Sequence, residues 1–208
     1  MTYQQRDLTG QVVLITGATA GIGAAAARQL VELGAKVALN ARNAKRLQEM
    51  VNELGASNAI AVPGDCTDPS ICRQLAKAAL EKWGRIDAVV PNAGIGKYGS
   101  VLDYSDDEVT EMMRTNYEGT VHAVRAALPA MLERGEGDVV IVSSVLPVQP
   151  CAVVEACPGR QTSRRFSMAV TTESMTITKI ARISMPAKTP VTACRSRQKT
   201  RPPRQTRG

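Results

Sequence analysis

The chain has 208 residues, one tryptophan, one phenylalanine, four tyrosines and a formal net charge of +7. That length fits one compact domain with a sizeable core; no apolar run of about eighteen residues and no N-terminal basic-then-apolar pattern occurs, so a soluble, cytoplasmic chain without a membrane partner is expected. The charge is unevenly placed: residues 1–145 hold 14 Lys and Arg against 17 Asp and Glu, a net of −3, whereas residues 146–208 hold 12 against 2, a net of +10.

Residues 11–16 (QVVLIT) form a short, β-branched apolar run ending at a glycine, the pattern of a strand buried on both faces. Ile22, Ala26, Leu30 and Leu33 then recur at helical spacing, and Gly34 supplies a stop. The pattern predicts a second strand over 36–41, a second helix over 45–54 and a third strand over 59–62. Ile71, Leu75, Ala79 and Trp83 mark another helix, with a strand over 86–90 after it. Beyond a glycine-containing loop, Val121, Val124, Leu128 and Met131 define a longer helix, and 138–142 (DVVIV) is a fifth strand. Strands alternating with helices at this spacing predict an α/β fold, a Rossmann-type doubly wound parallel sheet covered on both faces.

The alternation stops near residue 145. Prolines at 147, 150, 158, 186, 190, 202 and 203 interrupt the remainder, which has one leucine, Leu146, and one aromatic residue, Phe166. So few large apolar groups do not offset the entropy of ordering the segment. The expected organisation is a dinucleotide-binding domain over 1–145, incomplete after its fifth strand, and a basic, proline-interrupted tail over 146–208, disordered or irregular. The five cysteines, Cys66, Cys72, Cys151, Cys157 and Cys194, make no Cys-x-x-Cys pair, and His122 is the sole histidine. Reduced thiols and no metal site are the expectation.

Thr16-Gly17-Ala18-Thr19-Ala20-Gly21-Ile22-Gly23 lies between the first strand and its helix. Gly17 suits a sharp turn, Gly21 a close approach of backbone to a pyrophosphate, and Gly23 tight helix packing, while the helix start offers free N–H groups to phosphate. Gly17, Thr19, Gly21, Ile22 and Gly23 are therefore candidate cofactor-binding residues. After the second strand, Ala41 stands where a carboxylate would accept the ribose hydroxyls of NAD, and Arg42 follows it. A guanidinium pairs bidentately with a 2′-phosphate, so NADP is favoured over NAD, although Ala20 stands where a second basic residue would strengthen the preference.

The TGxxxGIG spacing resembles the short-chain dehydrogenase/reductase family, and further motifs follow in order. Asp65 follows the third strand, where the family places an acid against adenine. Asn92-Ala93-Gly94 follows the fourth strand as the family's NAG motif does, with Pro91 in place of the usual preceding asparagine. Asn116 matches the asparagine that supports the catalytic lysine through water, and Ser144, closing the fifth strand, matches the catalytic serine. The resemblance implies an NAD(P)-dependent oxidoreductase of a carbonyl or alcohol substrate, and relatives form homo-oligomers through the long helix and the helix carrying the catalytic tyrosine.

The family's tyrosine, with a lysine four residues later that lowers its pKa, should lie about a dozen residues past Ser144. Ala156-Cys157-Pro158 and Arg160-Gln161-Thr162 stand there instead, and the four tyrosines, Tyr3, Tyr98, Tyr104 and Tyr117, all precede Ser144. Pro158-Gly159 comes too early to be the family's later PG motif. The resemblance thus covers about 145 residues, and the abrupt change suggests a tail read in a shifted frame. Efficient catalysis is not expected. The alternative reading is a non-catalytic nucleotide-binding protein whose basic tail contacts a polyanion; absence of an aromatic platform or a recognisable module argues against nucleic acid. His122 and Trp83 read as packing residues, and Asp103, Asp106, Asp107 and Glu108 as an acidic helix start rather than a metal site.

Overall fold

The computed structural model describes residues 7–97, 101–144 and 177–179. The first apolar run becomes β1 (Val12–Thr16), buried at all five positions. With β2 (Lys36–Ala41), β3 (Ala59–Pro63), β4 (Ala88–Val90) and β5 (Asp138–Val139), it forms a parallel sheet in the order β3-β2-β1-β4-β5.

Strand side chains alternate, so each strand feeds two cores. Val13 and Ile15 join Val37 and Leu39 beneath α1 (Gly21–Glu32) and α2 (Ala44–Leu54), which contribute Leu30 and Leu47. Val12 and Leu14 face the opposite way, toward α3 (Pro69–Trp83) and α5 (Gly119–Arg134), where Leu75, Ala79, Ala127 and Met131 pack. Helices on both faces explain why the strands are continuous apolar runs rather than alternating ones. The order reverses between β1 and β4, and the crevice at their carboxyl ends is the switch point where such sheets bind ligands.

Two strands are shorter than their apolar runs. Ile86 is fully buried but precedes the regular part of β4. Past β5 the ladder continues without regular strand geometry, Val140 N donating to Val89 O at 2.9 Å and Val142 N to Pro91 O at 3.0 Å. Among the described residues, β5 has a sheet neighbour on one side only.

The expected loop before the long helix contains more structure than its apolar pattern revealed. A single 3-10 turn (Val101–Asp103) precedes α4 (Asp106–Met113), which passes through a looser, π-wound stretch (Arg114–Glu118) directly into α5. Ser105 and Glu108 form a capping box, and Asp106, Asp107 and Glu108 occupy the first turn, so these three acids open the helix, whereas Asp103, expected with them, lies in the 3-10 turn before it. Trp83 is partly buried against the α3/α5 core, with the Lys82 ammonium 5.1 Å from its ring centre. A short β6 (Ser143–Ser144) pairs antiparallel with β7 (Ile177–Lys179). The expectation of an irregular or disordered tail otherwise falls outside the described residues.

Candidate dinucleotide site

At the carboxyl end of β1 the chain turns through Gly17, at φ +68, into the glycine loop. A Cβ on Gly17 would stand 2.8 Å from the Ala93 Cα, so the turn and the segment after β4 approach backbone to backbone. Gly23 is close-packed for a related reason: a Cβ there would meet the Gly17 carbonyl oxygen and the Asn92 side chain at 2.4 Å. It is thus the loop and Asn92 that require a glycine at 23. Gly21 differs. It has φ +52, and the space where its Cβ would stand is open.

The start of α1 is bare. Ala20 occupies the N-cap without a side-chain hydrogen bond, and no acid lies in the first turn. By contrast, Asn43 caps α2 by accepting from Arg46 N, Asp68 caps α3 by accepting from Ser70 N, and the capping box closes α4. The N–H groups opening α1, with the positive end of its dipole, face the crevice without a side-chain acceptor.

Asn92-Ala93-Gly94 is bolted to this loop. The Asn92 amide donates to Thr16 O and Gly17 O, both at 3.1 Å, and the Thr16 hydroxyl accepts from Asn92 N and Ala93 N, also at 3.1 Å. Thr16 is buried, and its hydroxyl is what joins the two strand ends. Its signal in the sequence was a hydroxyl residue closing an otherwise apolar strand.

Asn116 lies in the π-wound stretch and clamps the residue after the NAG segment: Ile95 N donates to its Oδ1 at 2.8 Å, and its Nδ2 donates to Ile95 O at 2.9 Å. The looser winding carries this side chain at the junction of α4 and α5, and such turns recur at functional sites. Ser144, expected to close the fifth strand, instead ends β6, outside the parallel sheet, because β5 stops at Val139.

On the other side of the crevice, Arg42 follows β2, exposed and without an ion-pair partner among the described residues. Asp65 follows β3, and its carboxylate accepts from Thr67 N at 2.9 Å, which folds the loop into α3. Asn40, near the end of β2, was not singled out by the motifs. It is 2% exposed, and its Nδ2 donates to Val62 O at 2.9 Å and to Gly64 O at 3.1 Å.

Behind the loop lie two free, buried thiols, Cys66 and Cys72. Burial, then the nearby Asp65 charge, pushes the Cys66 thiol up; burial, then the neighbouring Cys66 and Asp68, pushes Cys72 up to about 12. Both are protonated at neutral pH and so act as packing groups, not nucleophiles. His122 is half-buried on α5 with Nδ1 3.4 Å from the Cys66 carbonyl oxygen. No described helix is long and apolar enough to cross a membrane.

A family model described as short chain dehydrogenase matches residues 11–157. An uncharacterized oxidoreductase of Staphylococcus aureus (strain MW2) is 38% identical over 138 residues, 66% of this chain and 60% of that protein. Dehydrogenase/reductase SDR family member 7B of Bos taurus is 40% identical over 142 residues, 64% of this chain and 44% of that protein. Among solved structures, a short-chain dehydrogenase/reductase, glucose/ribitol dehydrogenase, from Brucella melitensis matches with a TM-score of 0.58 and 26% identity, covering 60% of this chain and 53% of that one. The chain therefore spans at most 60% of the length of these relatives.

Proposed function

Because the chain belongs to the short-chain dehydrogenase family, we propose that its glycine-loop crevice takes a nicotinamide dinucleotide, NADP in preference to NAD, as in an oxidoreductase of a carbonyl/alcohol pair. The observation that carries this reading is the start of α1: an uncapped helix terminus beside Gly21, with open space where a Cβ would stand. Free N–H groups and the helix dipole favour a pyrophosphate there. Gly17, Thr19, Gly21, Ile22 and Gly23 would surround it, with Asn92, Ala93 and Gly94 alongside and Asp65 on the adenine side. Arg42 is exposed and free to pair with a 2′-phosphate, which NAD lacks.

When bound, the cofactor supplies or accepts hydride. The proton must come from the protein, and here the sequence departs from the family it belongs to. Ser144 and Asn116 are present, but Ala156 and Arg160 stand where the tyrosine and lysine belong. A serine hydroxyl orients a substrate oxygen without serving as a base near neutral pH. We therefore read the chain as one that binds dinucleotide and turns over carbonyl substrates inefficiently or not at all. Fluorescence titration with NADPH and NADH, alongside an assay of NADPH oxidation with simple aldehydes and ketones, tests both halves. Tighter NADPH binding without turnover is the expected result. Binding of neither cofactor sinks the site assignment, and rapid turnover sinks the account of the missing proton donor.

The net charge of +10 over residues 146–208 supports a second reading, a nucleotide-binding protein with a polyanion-binding tail. Steeply salt-dependent binding to DNA would favour it; no binding at low salt would exclude it. The family resemblance also supports a homo-oligomer, for which Val109, Met113, Tyr117 and Leu132, exposed along α4 and its continuation, offer an apolar face.

A further inference from the structure

An asparagine inside a buried parallel strand is out of character. Its neighbours Val37, Ala38, Leu39 and Ala41 are small or apolar and buried, and a side-chain amide there is costly unless its donors and acceptors are met. Asn40 meets the need by reaching sideways, and what it reaches is specific. Its Nδ2 donates to Val62 O at 2.9 Å, within β3, and to Gly64 O at 3.1 Å, just beyond it.

The same residue is tied to the glycine loop through its backbone, Asn40 O accepting from Ala18 N at 3.1 Å. The turn past β3 is held from its other side as well. Gly64 N donates to Ala41 O at 3.0 Å, and a Cβ on Gly64, at φ +147, would stand 2.6 Å from the Ile71 side chain. Gly64 therefore lies where Asn40, Ala41 and Ile71 fix it. Asp65 follows it directly, and Arg42 stands two residues after Asn40.

We infer that Asn40 is a positioning residue for the adenosine half of the dinucleotide: it sets the β3–α3 turn against the glycine loop, and so fixes the spacing between Asp65 and Arg42. This rests on the dinucleotide reading above. With β1 supplying the phosphate turn and β2 the ribose end, the base extends toward β3, the next strand outward. A strand of apolar residues alone would pack equally well but would leave the carbonyl oxygens at 62 and 64 without this donor. Asn40 makes no contact of its own with the ligand in this scheme; it acts through the turn.

The test uses the full chain and adenosine 2′,5′-bisphosphate, a probe of the adenosine half alone. Asn40→Leu keeps the number and branching of side-chain heavy atoms and removes the donor, and should weaken the probe by about tenfold, with faster amide exchange over residues 64–67. Asn40→Thr retains one hydroxyl donor and should fall between. Val37→Ala, at the amino end of the same strand, serves as a stability control and should leave probe affinity within about twofold. If Asn40→Leu binds the probe like the parent, or Val37→Ala loses as much affinity, the positioning role is overturned. If the parent does not bind the probe, the cofactor reading fails instead, and the exchange comparison still decides whether Asn40 sets the turn.

Discussion

Gly17 and Gly21 are both glycines at positive φ in one loop, yet the chain needs them for different reasons. Gly17 is fixed by the protein itself, since a Cβ there would stand 2.8 Å from the Ala93 backbone. Gly17→Ala should therefore cost about 2–5 kcal/mol, adding overpacking to left-handed strain, and should be read in the thermal unfolding midpoint. Around Gly21 the protein leaves the same space open. Gly21→Ala should cost about 1–2 kcal/mol of stability from backbone strain alone, while NADPH affinity falls much further, because the added methyl enters the space proposed for pyrophosphate. Parent-like NADPH affinity in Gly21→Ala, measured by fluorescence titration, would contradict that placement. Arg42→Ala separates the cofactors: loss of a charge-assisted pair should weaken NADP by about 1.5–3 kcal/mol and leave NAD nearly unchanged. Equal losses would make Arg42 a structural residue.

At the level of elements, the readable signals were the periodic ones. Leu30, Leu75 and Met131 sit in the cores their spacing predicted, because burial on one face imposes that period. What periodicity could not reveal was the segment joining β4 to α5. Val109 and Met113 of α4 are exposed, so no apolar face announced the helix. Its signal was the chemistry of its start, Ser105 followed three residues later by Glu108. The π-wound stretch had no pattern to find, since one looser turn leaves the helical period on either side almost unchanged. Asn116 was legible through family resemblance, but its two-point grip on Ile95 depends on that winding, which no residue pattern encodes. Asn40 was hidden differently: it is a polar residue within an apolar strand, and its side-chain partners lie in another segment of the chain. Ser105→Ala should cost about 1 kcal/mol, measured by denaturant unfolding. With the cap lost, α4 should fray ahead of the rest, visible as faster amide exchange over 106–109.

Across the whole molecule, the two ends of the sheet have separate tasks. The carboxyl ends carry the glycine loop, Arg42 and Asp65, while a charged clasp closes the amino ends. Asp87, just before β4, accepts from Val12 N at 2.8 Å and from Arg85 Nε at 2.8 Å, and pairs with Arg134 at 3.0 Å. Its own carbonyl accepts from Asp138 N at 2.9 Å, so β1, β4, β5 and the end of α5 meet at one residue. Burial works to raise the Asp87 pKa, but the hydrogen bonds from Arg85, Val12 and Arg134 outweigh it and hold the carboxyl below its ordinary 3.8. A carboxyl depressed in the folded state stabilises the fold fully above its unfolded value and loses that contribution as pH falls through the folded value. The window is therefore acidic, beginning near 3.8 and extending below it, and at neutral pH the clasp is fully charged. Asp87→Asn keeps the shape and removes the charge, and should cost about 1–3 kcal/mol near neutrality, since Arg85 remains partly solvated. Measured by urea unfolding, the gap between parent and variant should narrow as pH drops below the ordinary carboxyl value. NADPH affinity of the folded variant should match the parent, because the clasp and the crevice lie at opposite ends of the strands. A gap that stays constant down to strongly acidic pH would mean that shape, not charge, holds these strand ends together, and a parallel loss of NADPH affinity would show that the two ends are coupled through the sheet.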